Sequence, residues 1–410
     1  MARAASSQRV VVLILENKTP DFSFRSMAAF GAEIAEYPST RVLSAAPDYD
    51  QPHDRSAWVH FRMGDYPAVR TQLDNDKVQP LHAWLAKTFT FCDHHFAMGS
   101  NSTSGHLMAI GGQSPTLKNP PFGAGGPTWD MPSIFVHAER AGISWVAIPD
   151  ADRYPTKFYD ELNTITRLKN VRPTTSATDD AFIKLVQAGN LPQLTYAWGP
   201  SGADEHPPFR GSNPDYLTRA HDLLWRRIDA VVQAGLWAST TFFLVYDDWG
   251  GYADHVVTPV AETARDLLHP NGFAIIGGSR LPLIMFGGKV GKAIDNTWHS
   301  NASIPKTIID LFGLPAFGVP RVDGAPSLAG FVNTSLRRPT PPAFGTAIVQ
   351  PKPPAKRPTP VPPPPWTGAK NAPLAPIVLN GGKTLAAPAD GVVRKTPPKL
   401  PPEAPKAATK

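Results

Sequence analysis

Six stretches of the chain read as short β-strands. "RVVVLILEN" (9–17) is apolar without alternation, the pattern of a parallel strand covered on both faces. "RVLSAA" (41–46), "ISWVAIPD" (143–150), "QLTYAWGP" (193–200), "TTFFLVYDD" (240–248) and "LPLIMFGG" (281–288) follow it. Helical periodicity alternates with these runs. "VQPLHAWLAKTF" (78–89) brings Leu81, Trp84 and Leu85 to one side, and "PSIFVHAERAG" (132–142) stops at Gly142, a suitable C-cap. "DYLTRAHDLLWRRIDAVVQAG" (215–235) stacks Leu217, Leu224, Ile228 and Val231, while "SIPKTIIDLFG" (303–313) aligns Ile304, Ile308 and Leu311. Strand alternating with helix predicts an α/β protein, a three-layer α/β/α sandwich around a mostly parallel sheet. Ligands of such sheets bind beyond the carboxyl ends of the strands.

Two strands end in groups suited to a cation. "LILEN" supplies Glu16 and Asn17, and "LVYDDWGG" supplies Asp247 and Asp248 before a glycine turn. Three carboxylates at one sheet edge, with no Lys or Arg beside them in sequence, repel one another. One divalent cation (Ca, Mg, Mn or Zn) would neutralise them, and oxygen donors favour a fairly hard ion. Between these strands, "MGSNSTSGHLMAIGG" (98–112) reads as hydroxyl residues at a helix start. An ordinary N-cap explains such residues, and so does a nucleophilic hydroxyl at an anion-binding helix terminus. Glu205 and His206 in "GADEHPPF", with Asp254 and His255 in "GGYADHVVTP", add two carboxylate–imidazole pairs suited to holding a phosphate oxygen or protonating a leaving group.

Composition changes the picture in one respect. Of the 46 prolines, 20 follow Arg338, and that tail holds ten Lys or Arg against Asp390 and Glu403. It therefore carries +8 and leaves the body near −2 of the +6 total, so the pI of about 9.3 describes the tail and no nucleic-acid partner follows from it. Residues 1–338 are expected to form the folded domain. Residues 339–410, with "PKPPAKRPTPVPPPPW", are expected to be extended and disordered: a spacer, or a weak contact with an anionic surface or a partner. The single Cys92 excludes an internal disulfide framework. No apolar run approaches the ~20 residues of a transmembrane span. The run Val10–Leu15 meets Glu16 rather than a cleavage site, so no leader is visible and the chain as it stands reads as cytoplasmic.

Six ordered blocks carry a resemblance. "VVVLILENKTPDFSF", "LHAWLAKTFTFCDHHF", "NSTSGHLMAIGG", "DEHPP", "VYDDWGGYADHV" and "RLPLIMFGG" with "SIPKTIIDLFGLP" resemble the bacterial phosphoesterases that include phosphatidylcholine-type phospholipases C and an acid phosphatase. These lie within the alkaline phosphatase-like superfamily. The likeness runs from about residue 9 to 335. It implies metal-dependent hydrolysis of a small phosphate ester or phospholipid head group through a seryl-phosphate intermediate. By position it implies Ser102 as nucleophile, Glu16, Asn17, Asp247 and Asp248 as metal ligands, and Glu205, His206, Asp254 and His255 around the phosphate. His206 and His255 would act in catalysis. The family's Asn after its serine motif is Gly105 here, and its histidine before the last helix aligns with Asn301, two residues from His299. Asn301 and His299 are thus the expected further substrate contacts. These two departures also support an alternative, a catalytically degenerate member that binds through its fold or its basic tail.

Overall fold

The computed structural model describes residues 8–354, except 48–49, 55–56, 59–60, 62–67, 69, 99–100, 117–118, 121–126, 209–214, 257–262, 265–272, 275 and 344–347, together with 377–379 and 384–385. Its centre is an eight-stranded sheet. We label the strands β1 (Arg9–Leu15), β2 (Thr90–Met98), β3 (Trp145–Ile148), β4 (Leu194–Trp198), β5 (Thr240–Tyr246), β6 (Ile276–Gly287), β7 (Ala293–Asp295) and β8 (His299–Ser300). Their order is β7-β2-β6-β5-β1-β4-β3, with β8 also on β2. Only β6 runs antiparallel to its neighbours β2 and β5; the other pairings are parallel. Every residue from Val10 to Leu15 is buried, as both faces of β1 are covered.

Helices α1 (Pro80–Thr88), α2 (Ser102–Gly111), α3 (Ile134–Arg140), α4 (Ala181–Gln187), α5 (Tyr216–Gln233) and α6 (Ser303–Phe312) cover the sheet. They pack in two sets, α2 with α3 and α6, and α1 with α5 and α4, which gives the expected three-layer α/β/α arrangement. None of the described helices is long and apolar enough to cross a membrane. Two expectations change. "RVLSAA" contributes only Val42–Leu43, paired with Gln72–Leu73 outside the main sheet. Strand β2 was not foreseen at all, because Asp93, His94 and His95 interrupt its apolar pattern.

The chain does not leave the body at Arg338. Pro342 O accepts from Trp225 Nε1 at 3.0 Å, Gln350 Nε2 donates to Pro80 O at 2.8 Å, and Ile348 packs on the core. The Pro-rich remainder, 355–376 and 386–410, lies outside the described residues.

Register decides what meets at the sheet edge. Leu15 is level with Tyr246 across the β1–β5 pair, so Glu16 and Asp247 leave their strands side by side. The ladder continues past the strand ends: Asp247 N donates to Leu15 O at 3.2 Å, Glu16 N to Asp204 O at 2.8 Å, and Lys18 N to Asp248 O at 3.0 Å. Helix α2 approaches this edge backbone to backbone. A Cβ at Gly105 would lie 2.1 Å from Asp247 O, so only glycine admits the helix there. Three side chains clamp carbonyls along α2: Asn301 Nδ2 to Gly105 O at 3.2 Å, Tyr159 OH to Leu107 O at 2.9 Å and Tyr196 OH to Ala109 O at 3.0 Å. Gly105→Ala should therefore destabilise the fold by about 1–3 kcal/mol, the usual cost of overpacking. Denaturant unfolding checks this, and an alanine variant of unchanged stability would refute the close approach.

Candidate active site

The carboxyl edge of the sheet gathers three elements. The loops after β1 and β5 bring Glu16, Asn17, Asp247 and Asp248, and the first two turns of α2 bring Ser102 and His106. Ser102 Oγ donates to Asp248 Oδ2 at 3.0 Å. Asn17 N donates to Asp247 Oδ1 at 3.0 Å, and Asn17 takes the left-handed conformation with φ 65°. The Trp-Gly-Gly turn folds back over it: Gly250 has φ 60°, donates to Asp248 Oδ1 at 2.9 Å, and has no room for a Cβ, which would lie 2.6 Å from Asn17. Two glycines after two aspartates thus let the turn close over Asn17.

His106 lies four residues after Ser102, on the same face of α2. Its Nε2 is 3.4 Å from Glu16 Oε1 and 3.7 Å from Asp247 Oδ2, while Trp198 Nε1 points at Nδ1 from 3.3 Å. His53 approaches from a loop, with Nε2 3.9 Å from Asp248 Oδ2, and stands edge-on to His206 with ring centroids 5.8 Å apart. Trp249, fully buried against Trp58 and Phe61, holds that loop by donating to His53 O at 2.7 Å. Sequence reading had missed both histidines. The Ser102–His106 spacing was a usable signal for one; nothing local marks His53.

The electrostatics record the crowding. Burial, then the neighbouring Asp247 charge, push Asp248 up to about 7. Burial and Glu16 raise Asp247. Burial pushes Glu16 the same way, but its bond to His106 and the charges of His106, His206 and His53 hold it below its ordinary value. Burial alone would lower His53, yet Asp248 and Asp50 push it up to about 10. Asn17 Oδ1, Asn17 Nδ2 and Asp247 Oδ2 are buried with no hydrogen-bond partner. Unpaired buried oxygens beside three carboxylates suit a cation. Glu16, His106 and Asp247 present ligand atoms within 4.8 Å of one another. Imidazole in the donor set widens the suitable ions from hard Ca or Mg toward Mn or Zn.

Sequence comparison fits this geometry. A model of the Phosphoesterase family matches residues 45–315. The chain belongs to that family. The match takes in Ser102, Asp247 and Asp248 and begins after β1. Relatives include a non-hemolytic phospholipase C of Burkholderia pseudomallei, 25% identical over 334 residues, covering 63% of this chain and 46% of the relative. A hemolytic phospholipase C of Pseudomonas aeruginosa is 31% identical over 132 residues, covering 28% of this chain and 17% of the relative. The chain thus spans less than half the length of these curated relatives. Solved structures of similar shape include a protein in the alkaline phosphatase superfamily from Vibrio parahaemolyticus, at 11% identity and a TM-score of 0.41, covering 75% of this chain and 67% of that one. A likeness that weak adds nothing to the strand order above.

Within this family member, His206 stands beside His53 at the rim, while the other expected residues make their bonds elsewhere. Glu205, fully buried with φ 72°, binds Lys18 Nζ at 3.6 Å, His82 Nε2 at 2.8 Å, Gln79 Nε2 at 2.7 Å and the Tyr246 hydroxyl at 3.3 Å. His206 N donates to Asp204 Oδ1 at 3.0 Å, and its ring faces His53. Asp254 takes the Arg280 guanidinium at 3.0 Å, Asp21 takes the same group at 3.0 Å, and His255 Nδ1 sits 2.8 Å from Asp21. None of these bonds reaches Ser102. His299 pairs with Asp295 at 2.7 Å. Asn301 touches α2 through Gly105 and not through Ser102. Arg280 is the cation that makes the Asp21–Asp254 pair tolerable. Arg280→Met should cost about 3–5 kcal/mol by stranding two buried carboxylates. Thermal unfolding checks this, and a loss below 1 kcal/mol would show that the aspartates find other partners.

Proposed function

We propose that the chain is a metal-dependent phosphoric ester hydrolase in which Ser102 is the nucleophile. One observation carries the reading: the Ser102 hydroxyl, at the start of α2, is bonded to Asp248 beside the unpartnered oxygens of Asn17 and Asp247. Glu16, Asn17, His106, Asp247 and Asp248 are the residues that would hold one divalent cation. When bound, that ion supplies Lewis acidity and neutralises the transferring phosphoryl group.

The chain's own groups do the rest. Ser102 Oγ attacks phosphorus in line; the Oγ–P bond forms as the bond to the leaving oxygen breaks. Asp248 Oδ2, already the acceptor of the hydroxyl hydrogen, orients Oγ for that attack and takes its proton as the Oγ–P bond forms, returning it when the hydroxyl is restored. Backbone N–H groups at the start of α2 face the developing phosphoryl charge. A proton reaches the leaving oxygen from the histidines at the rim, where His53 and His206 stand together. Water then cleaves the seryl-phosphate and restores the hydroxyl. Trp249 and Trp58 keep the His53 loop against this edge.

The substrate in this reading is a small phosphate ester or a phospholipid head group, in keeping with the phospholipase C relatives. Ser102→Ala should lower turnover of p-nitrophenyl phosphate or p-nitrophenyl phosphorylcholine by roughly 10³–10⁶-fold, as removing a catalytic nucleophile does, while leaving metal binding intact. Wild-type turnover in that variant would end the assignment, and the ratio of the two substrates distinguishes monoester from diester preference. EDTA should abolish activity, with Mn²⁺ or Zn²⁺ restoring it. A protein that serves only by binding through its fold would be indifferent to the chelator. Full activity after exhaustive chelation refutes the metal requirement.

A further inference from the structure

A second group of metal-binding side chains lies away from the bonds of the Ser102 cluster, on the edge of the sheet formed by β2, β7 and β8. Register builds it. Asp295 of β7 is the parallel partner of Cys92, and His299 of β8 is the parallel partner of His95. Against β6, Leu283 pairs with Cys92 and Leu281 with His95, with a register shift between them. That shift inserts one extra residue into β2, so Cys92 and His95, three apart, share a face. Laterally paired residues also share a face, and the four side chains therefore form a two-by-two patch.

All four are buried, with Cys92 and His95 wholly inaccessible. Cys92, Asp295 and His299 present ligand atoms within 4.8 Å of one another. His299 Nδ1 is held by Ser303 Oγ at 3.3 Å, which leaves Nε2 facing Asp295 Oδ2 at 2.7 Å. Such an anchor on one imidazole nitrogen is what a metal-bound histidine has. His95 supplies the independent sign. Neither of its ring nitrogens has a hydrogen-bond partner of good geometry among the described residues, and the Leu281 and Ser300 backbones are its near neighbours. A fully buried imidazole with both nitrogens unsatisfied is costly without a ligand.

We infer that Cys92, His95, Asp295 and His299 form a structural metal site for a Zn²⁺-class ion, separate from the one proposed at Asp247. The donor set, one thiolate, two imidazoles and one carboxylate, matches closed four-coordinate zinc. Tetrahedral bonds of about 2.0–2.3 Å set donors roughly 3.3–3.8 Å apart, so Cys92, Asp295 and His299 close on an ion with small side-chain movements, and register places His95 beside His299 as the fourth. Binding releases the Cys92 thiol proton, the His299 hydrogen passes from Nε2 to Nδ1 where Ser303 Oγ accepts it, and Asp295 exchanges its bond to His299 for one to the ion. The ion would fix the strand edge that leads into α6 and its clamp on α2.

Cys92 is the only cysteine of the chain, so any thiolate–metal signal belongs to it. The full-length protein is produced in cobalt-supplemented medium and read by near-ultraviolet absorption and metal content. The expected result is a thiolate-to-cobalt charge-transfer band that persists in Asp248→Asn and disappears in Cys92→Ser, with the loss of about one equivalent of metal. Should Cys92→Ser fail to fold, His299→Asn keeps the cysteine and should shift or weaken the band. Cobalt-containing wild-type protein without the band, or a band untouched by His299→Asn, overturns the site. Because the signal comes from sulfur, it is independent of whether Asp247 and Asp248 bind metal or support turnover.

Discussion

Negative charge taken out of water is the constraint around which this structure is arranged. Among the buried carboxylates of the described residues three groups stand out, and each must be neutralised. Asp21 and Asp254 share Arg280, delivered from the antiparallel strand β6. Glu205 meets Lys18 and His82. The third group, Glu16 with Asp247 and Asp248, has His106 and His53 as its ion-pair partners, and two of its carboxyls are pushed upward. A fold that supplies a strong cation to two such groups and only imidazoles to the third concentrates its unsatisfied field beside Ser102.

Close approach is the second requirement. Helix α2 reaches the end of β5 only because position 105 has no side chain, and the Trp-Gly-Gly turn reaches Asn17 only because Gly250 has none. From the sequence, Gly105 was a departure from the family pattern that put activity in question. In the structure it is the contact that sets the nucleophile candidate beside Asp248. Asn301, the other departure, clamps the Gly105 carbonyl. Both departures lie at one helix–strand contact and are compatible with each other.

Much of the architecture was legible from periodicity. The unbroken apolar run of β1, the carboxylates closing β5, and the hydroxyl-rich start of α2 each carry a local signature, and the α/β sandwich follows from their alternation. Strand β2 was illegible for a physical reason. Asp93, His94 and His95 look like a surface segment until Arg280, Glu33, Trp298 and His299 close around them. Asp254 and His299, expected near the phosphate from the family resemblance, make their bonds to Arg280 and Asp295.

The chain by itself determined the layers, the family likeness, and which residue types gather at the carboxyl edge, because strand and helix periods are local and an ordered series of motifs is hard to produce by chance. Only the tertiary structure decided which acidic groups share a cation, which histidines stand beside Asp248, and that the only cysteine lies level with Asp295. Those facts depend on register and on distances between segments far apart in sequence. A difference of one residue in the pairing of β2 would send each of its side chains to the opposite face.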